Sequence, residues 1–411
     1  MASTYIYRDL GTPTNAYKGT VSHWVKRSGV GASTEFGSFS AWANGVNSTR
    51  SHCNWYDDTI YFYSQQHSMV LQTNRKFRDT NAWYHVVIAW DTTQSTASDR
   101  VKIYVNGVQE TSFSTANYPA QNSVLEFNVS GRRFGVGCLA QSNGSAASTW
   151  NGSISHFHFV DGSQLAPTVF GSTDSTTGEW KINTSPSYTV GNNGFFWLKD
   201  SIATTDHSSN SNTFTVGAGT LTKTEDCPSN VFATLNALAT EQTLSNGNTT
   251  GQHSGSGDAY KCAPSSLAMI SGKYYCECKV TVQSVYPALG VATTDASEVT
   301  TLTSVYLGQT TNSYGYYSDG QVYYNNAQSS SGNPSYSTDD IIGLALDLDS
   351  AQNTLKIYKN GSLIYTQNLP DNPKGWFFTS AQETSRPNAR TYFNFGNGYF
   401  GTTAVSSAGT N

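Results

Sequence analysis

The chain has 411 residues, a formal net charge of -5, 12% charged side chains and 13% aromatics. So many aromatics with so few charges exclude a disordered acidic chain, and the lack of a basic footprint excludes nucleic acid as a partner. No apolar run approaches the roughly 20 residues that span a bilayer as a helix, so membrane insertion is not expected.

The N-terminal MASTYIYRDL lacks the basic-then-apolar pattern of a secretory signal. Six cysteines, Cys53, Cys138, Cys227, Cys262, Cys276 and Cys278, are few for the length and read as mostly reduced thiols of a chain folded in a cytosol. Cys276 and Cys278, two apart on one strand, share a face and are not expected to bridge each other.

Strand candidates follow one another roughly every 8–12 residues, with Gly, Asn or Asp between them, as in a sandwich or jelly roll. They begin with GTVSHWVKR, STEFGSFSAWA, TIYFYSQQ and WYHVVIAWD, and a first domain is placed at 1–165, closed by ISHFHFV. Residues 166–235 form an irregular connector whose one clear strand, GFFWLKD, is apolar enough to pack back on the first sandwich. NVFATLNALAT, the best helical candidate, fits an extended linker as well. A second domain spans 236–402, through KYYCECKVTV, SYGYYSDGQVYYNN, DIIGLALDLD and RTYFNFGNGYF, and 403–411 is a Ser/Gly/Thr tail.

One pattern occurs twice. Residues 83–107 and 340–361 each hold an apolar strand ending in Asp, a polar turn, and a strand with an Ile-Tyr pair closing on Asn-Gly. Asn-Gly between apolar runs signals a tight hairpin, because both residues tolerate positive φ. The repeat predicts an all-β fold of two related antiparallel sandwiches in tandem.

GTVSHWVKRSG, NAWYHVVIAWDTTQSTASDRVKIYVNG and HFHFVDGSQLAPTVFG resemble the laminin-G-like, concanavalin A-type domain of many tail-fibre and virion proteins of marine bacteriophages. TGEWKI, NGFFWLKD, DCPSNVFATLN and LSNGN resemble the segments that follow it there. SGKYYCECKV, SYGYYSDGQ, DIIGLALDLD, LKIYKNG and FNFGNG resemble a SPRY domain, itself a concanavalin A-like sandwich; Cys276 stands where SPRY strands more often carry an aromatic or aliphatic residue. The resemblance implies two concanavalin A-like jelly rolls and a virion protein exposed on the particle, a tail fibre, tip or accessory protein. Its partner would be a host surface glycan or receptor. The alternative is a capsid or tail decoration protein binding other virion proteins. The first strand starts within about 20 residues of the N-terminus, which favours a compact accessory, tip or decoration protein over a conventional long tail fibre. Self-association as a trimer is compatible with either role, although no heptads specify it.

Hydrolysis of glycosides needs two carboxylates across the scissile bond. The Glu-x-Asp-x-x-Glu string of laminarinase-like relatives is absent; Glu277 stands alone in its strand and Glu225-Asp226 fall in a loop. The chain is therefore not expected to be an enzyme. Asp347 and Asp349 leave one face of a strand end, where calcium could sit, but no specific motif supports it and no cofactor is expected. Asp91, in the equivalent place, is expected to cap its turn onto Thr92 or Thr93. His156 and His158, with His85, lack the spacing of a zinc site and read as structural.

Aromatic clusters supply the binding candidates, since tyrosine joins a flat apolar face to a hydroxyl. In the second domain these are Tyr314, Tyr316, Tyr317, Tyr324 and Asp319, within a run that also holds Tyr306, Tyr323 and Tyr336. Alternation requires about half of the run to face the core. In the first domain Trp42, Trp55, Tyr56 and Asp57, followed by Asp58, form a similar polar-aromatic region. Trp24, Trp83 and Trp90, in strong strands, read as core.

Overall fold

The computed structural model describes residues 4–43, 49–141, 144–199, 205–253, 260–282, 286–296, 299, 305–372, 374–383 and 389–405. They form two compact units, Met1–Lys223 with Cys227–Val231, and Thr224–Asp226 with Phe232–Asn411. Each unit is a pair of antiparallel sheets, so the fold is all-β and consists of two jelly-roll sandwiches in tandem. Ala97–Arg100 forms a single α-helical turn. Among the described residues no helix is long and apolar enough to cross a membrane.

The first unit pairs an eight-stranded with a six-stranded sheet. The larger is centred on Arg50–Tyr56, Glu35–Ala43 and Arg132–Val136, the smaller on Gly152–Asp161, Lys18–Arg27 and Trp83–Asp91. The connector contributes a strand to each: Phe195–Trp197 pairs with Gly152–Asp161, and Thr215–Ala218 with Tyr5–Asp9. Between the sheets lies an aromatic core in which Phe39 packs on Phe127 at 5.4 Å and Phe134 on Phe159 at 5.0 Å.

Trp83–Asp91 is buried along its whole length, which explains its unbroken apolar run. Tyr84, Val86, Ile88 and Trp90 fill the inter-sheet core. Val87, on the opposite face, packs with Val160 and Phe170 under Leu165, Val169 and Tyr188. Residues 165–188 thus roof the outer face of the smaller sheet.

The second unit pairs a seven-stranded sheet, with Lys273–Val282 and Ile341–Asp347 at its centre, with a six-stranded one built on Trp376–Glu383, Ala288–Thr293 and Ser313–Tyr317. Cys276 and Cys278 both point into its core beside Leu344 and Phe393, as a shared strand face requires. All six cysteines are free thiols.

The repeated hairpin is real in detail. Val101–Val105 turns into Val108–Gln109 through Asn106 and Gly107, at φ 48° and 79°. Thr354–Lys359 turns into Ser362–Asn368 through Asn360 and Gly361, at φ 49° and 83°. In the first, Asn106 Oδ1 accepts the His85 N–H at 2.8 Å and Asn106 N–H donates to the His85 carbonyl at 2.9 Å. In the second, Asn360 does the same with Ile341, at 2.9 and 2.8 Å. Each asparagine ties its turn to the strand before the hairpin, and a hydrophobic residue there would forfeit the side-chain bond. Asp91 caps the Thr93 N–H at 3.1 Å and hydroxyl at 2.6 Å, and Asp347 accepts from the N–H groups of Asp349 and Ser350, both at 3.1 Å.

Candidate functional site

Five of the aromatic candidates are corrected by their burial. Trp55 lies inside the first core, its ring beneath the Arg27 guanidinium at 5.2 Å and against Phe77 and Trp150. Its strand, Arg50–Tyr56, continues through that polar-aromatic region, so alternation turns Trp55 inward and Tyr56 outward. Trp42 faces out from its strand but is covered by the small hairpin of Leu139–Ala140 and Ala146–Ala147, and its Nε1–H donates to the Gly144 carbonyl at 2.8 Å. Tyr314 and Tyr316 fill the second core, where Tyr316 donates to the Pro334 carbonyl at 2.6 Å. Tyr317, on the other face, is equally closed off and donates to the Leu307 carbonyl at 3.0 Å.

The other four candidates keep some access without forming one site. Tyr324 is half-buried and stacks on Tyr314 at 4.5 Å. Asp319 caps its own turn, accepting from the Gln321 N–H and side-chain amide at 3.1 and 2.7 Å. Tyr56 is exposed beside Tyr61. Asp57 pairs with Lys76 at 3.1 Å. Its neighbour Asp58 is buried and holds Arg27 at 3.0 Å and Arg78 at 2.8 Å. Burial alone would raise the Asp58 pKa; the Gly31 N–H and the two guanidiniums bring it below the ordinary carboxylate value.

The structure instead assembles a recess of about 290 Å³ on the outer face of the smaller sheet of the first unit. Trp24, Trp83 and Trp180 line it together with Asp79, Glu179, Asn81 and Asn106. Trp24 and Trp83 are buried but belong to neither sheet's inner face. Asp79 shapes the rim, its Oδ1 accepting the N–H groups of Asn81 and Ala82 at 2.8 and 3.2 Å.

Trp180 arrives from the hairpin of Gly171–Thr173 and Trp180–Ile182, almost 100 residues beyond the strand it covers. A Cβ at Gly107 would stand 2.4 Å from its Cζ3, so glycine there serves the positive φ of the turn and the close seat of the indole together. His85 lies between two indoles, stacked on Trp24 at 4.8 Å and on Trp180 at 5.9 Å. Trp180 Nε1–H donates to His85 Nδ1 at 2.9 Å, so the imidazole proton sits on Nε2 and is directed to the Ser22 hydroxyl at 2.8 Å. Burial, with a smaller push from His23, lowers the His85 pKa to about 3. His85 is a neutral spacer that fixes the Trp180 wall. His158, bonded to the Tyr188 hydroxyl at 2.7 Å and stacked on Phe196 at 3.9 Å, is likewise structural. Among the described residues no group of His, Cys, Asp or Glu is placed to hold a metal.

Sequence reading passed over Trp180. The available signal was a lone tryptophan in a polar segment, TTGEWKINTS, with no strand run of its own to bury it. Trp24 and Trp83, read as core from their strong strands, lie instead on the outer face, where alternation with Tyr84 and Val86 puts Trp83 and His85.

Residues 3–170 match the model of the concanavalin A-like lectin/glucanases superfamily, and residues 273–395 match the SPRY domain. Among solved structures, the chain is similar to a human SPRY domain at 19% identity over 36% of this chain and 92% of that one, with a TM-score of 0.32. The SPRY domain of human HERC1 matches at 17% identity over 39% and 98%, with a TM-score of 0.34, and the TRIM65 PSpry domain at 15% over 40% and 89%, with 0.33. Likeness of that degree carries no argument by itself; the sequence matches and the two-sheet topology do. No curated protein matches the chain. The chain therefore carries a concanavalin A-like domain of the laminin-G type followed by a SPRY domain, an organisation that supports a carbohydrate- or protein-binding role.

Proposed function

We propose that this chain is a non-enzymatic, carbohydrate-binding protein of a bacteriophage particle, a tail fibre, tip or accessory protein that recognises the host surface. The observation that carries the binding role is the recess of Trp24, Trp83 and Trp180 with Asp79, Glu179, Asn81 and Asn106. Of the three indoles Trp180 alone is only half-buried, so it offers the ring surface for the C–H face of a pyranose, with Trp24 and Trp83 as the buried floor, and carboxylates and amides accept and donate to its hydroxyls. Two carboxylates at the rim disfavour acidic sugars, so the ligand is a neutral glycan. The virion setting rests on the sequence resemblance. A small recess binds one sugar weakly, and many copies on a particle, as trimers or otherwise, raise the effective affinity.

A second reading, a decoration module docking on other virion proteins, draws on the outward tyrosines of the eight-stranded sheet. Tyr56 and Tyr61 lie 6.4 Å apart and Tyr61 and Tyr63 5.9 Å apart. A printed glycan array, probed with the full chain in calcium and then in chelator, separates the readings. The lectin reading expects signal on neutral glycans that Trp180→Ala reduces at least tenfold; silence across the array sinks it and leaves the decoration role. Signal that survives chelator matches the absence of a metal requirement.

A further inference from the structure

Alternation along Lys273–Val282 sends Cys276, Cys278 and Val280 into the second unit's core, so Tyr275, Glu277 and Lys279 occupy the opposite, outer face of the seven-stranded sheet. Gly343 lies beside Glu277 on the neighbouring strand, with Tyr358 on its far side; Ala345 lies beside Tyr275, with Lys356 beyond. Gly343 interrupts the apolar strand IIGLALD for a steric reason. A Cβ at Gly343 would come within 2.5 Å of Tyr275 Oη and 3.0 Å of its Cε2. The phenol end of Tyr275 therefore lies down across the sheet instead of standing off it, while the residue stays 41% exposed.

Tyr275 Oη donates to Glu277 Oε1 at 3.2 Å, and Asn394 Nδ2 donates to Glu277 Oε2 at 3.3 Å. Ring, carboxylate and amide are held in one arrangement before any ligand arrives, which limits the ordering cost of binding. On this face Lys273 pairs with Asp347 and Lys279 with Asp339, both at 3.1 Å.

We infer that this face is a second carbohydrate site, a flat platform on which a neutral oligosaccharide stacks on Tyr275 and is held by Glu277 and Asn394. It is independent of the recess in the first unit and stands or falls without it. The test uses the full chain carrying Trp180→Ala, which disables the recess, against an array of neutral oligosaccharides. That protein is expected to keep measurable binding, and adding Tyr275→Ala to lower it at least tenfold with an unchanged melting temperature. Tyr275→Phe, which keeps the ring and loses only the bond to Glu277, is expected to stay within about threefold. Absence of any neutral-glycan binding in the Trp180→Ala protein, or binding there that Tyr275→Ala leaves untouched, overturns the proposal.

Discussion

His23, His52 and His85 are buried, and burial pushes their pKa values down to about 3, helped at His52 by the nearby Arg50. His158 is held well below its ordinary value by burial first and by its histidine neighbours second. Above pH 6.5 these imidazoles are neutral in the folded and unfolded chain alike. Below it the unfolded chain takes up protons that the folded one refuses, so stability falls toward pH 3, each histidine costing up to about 1.4 kcal/mol per pH unit. Denaturant titrations are expected to show a marked loss for the first unit between pH 7.5 and 5; a flat profile would contradict the burial. Removal of Asp58 leaves Arg27 charged and unpaired inside the core, so Asp58→Ala is expected to cost about 3–5 kcal/mol in the same measurement. At this scale the sequence misled where one chemistry serves two purposes. A tyrosine that stacks on a sugar and one that donates to Pro334 from a core look alike until the opposite sheet is known. Alternation did say that half the tyrosine run must turn inward, and Tyr314, Tyr316 and Tyr336 do.

The hairpins were the most legible elements, because Asn-Gly chemistry is local and needs no partner distant in the chain. What local reasoning could not supply was the second duty of Gly107, which appears only when Trp180 arrives from a distant hairpin. Gly107→Ala meets both the indole and a positive φ, and a loss of about 1–3 kcal/mol is expected in the first unit's unfolding transition. It should also release Trp180, visible as a red-shifted tryptophan emission in the folded protein. Asn106→Ala and Asn360→Ala each remove a side-chain acceptor for a strand N–H and should each cost about 1–2 kcal/mol. Equal shifts of one shared transition by both would argue against separately stabilised units. The roof of residues 165–188 was illegible for a related reason. Its apolar residues, such as Leu165, Phe170 and Tyr188, are spaced among Ser, Thr and Pro and match no strand period, so nothing local shows that they bury a sheet face.

For the whole molecule, two antiparallel sandwiches with separate cores follow from strand cadence and the repeated hairpin, and the structure has both. Function was legible only as a class, because binding residues on such folds gather from segments remote in sequence. The recess joins residues from 24 to 231, which no window along the chain could reveal. Its walls also provide its own reporter, since three of the chain's nine tryptophans line it. The most direct measurement is therefore a titration of tryptophan emission with neutral oligosaccharides, run on the full chain and on Trp180→Phe. A saturable change in emission that weakens at least tenfold in Trp180→Phe is the expected result. No change with any neutral sugar, or a change that Trp180→Phe leaves intact, would contradict a carbohydrate site in the recess.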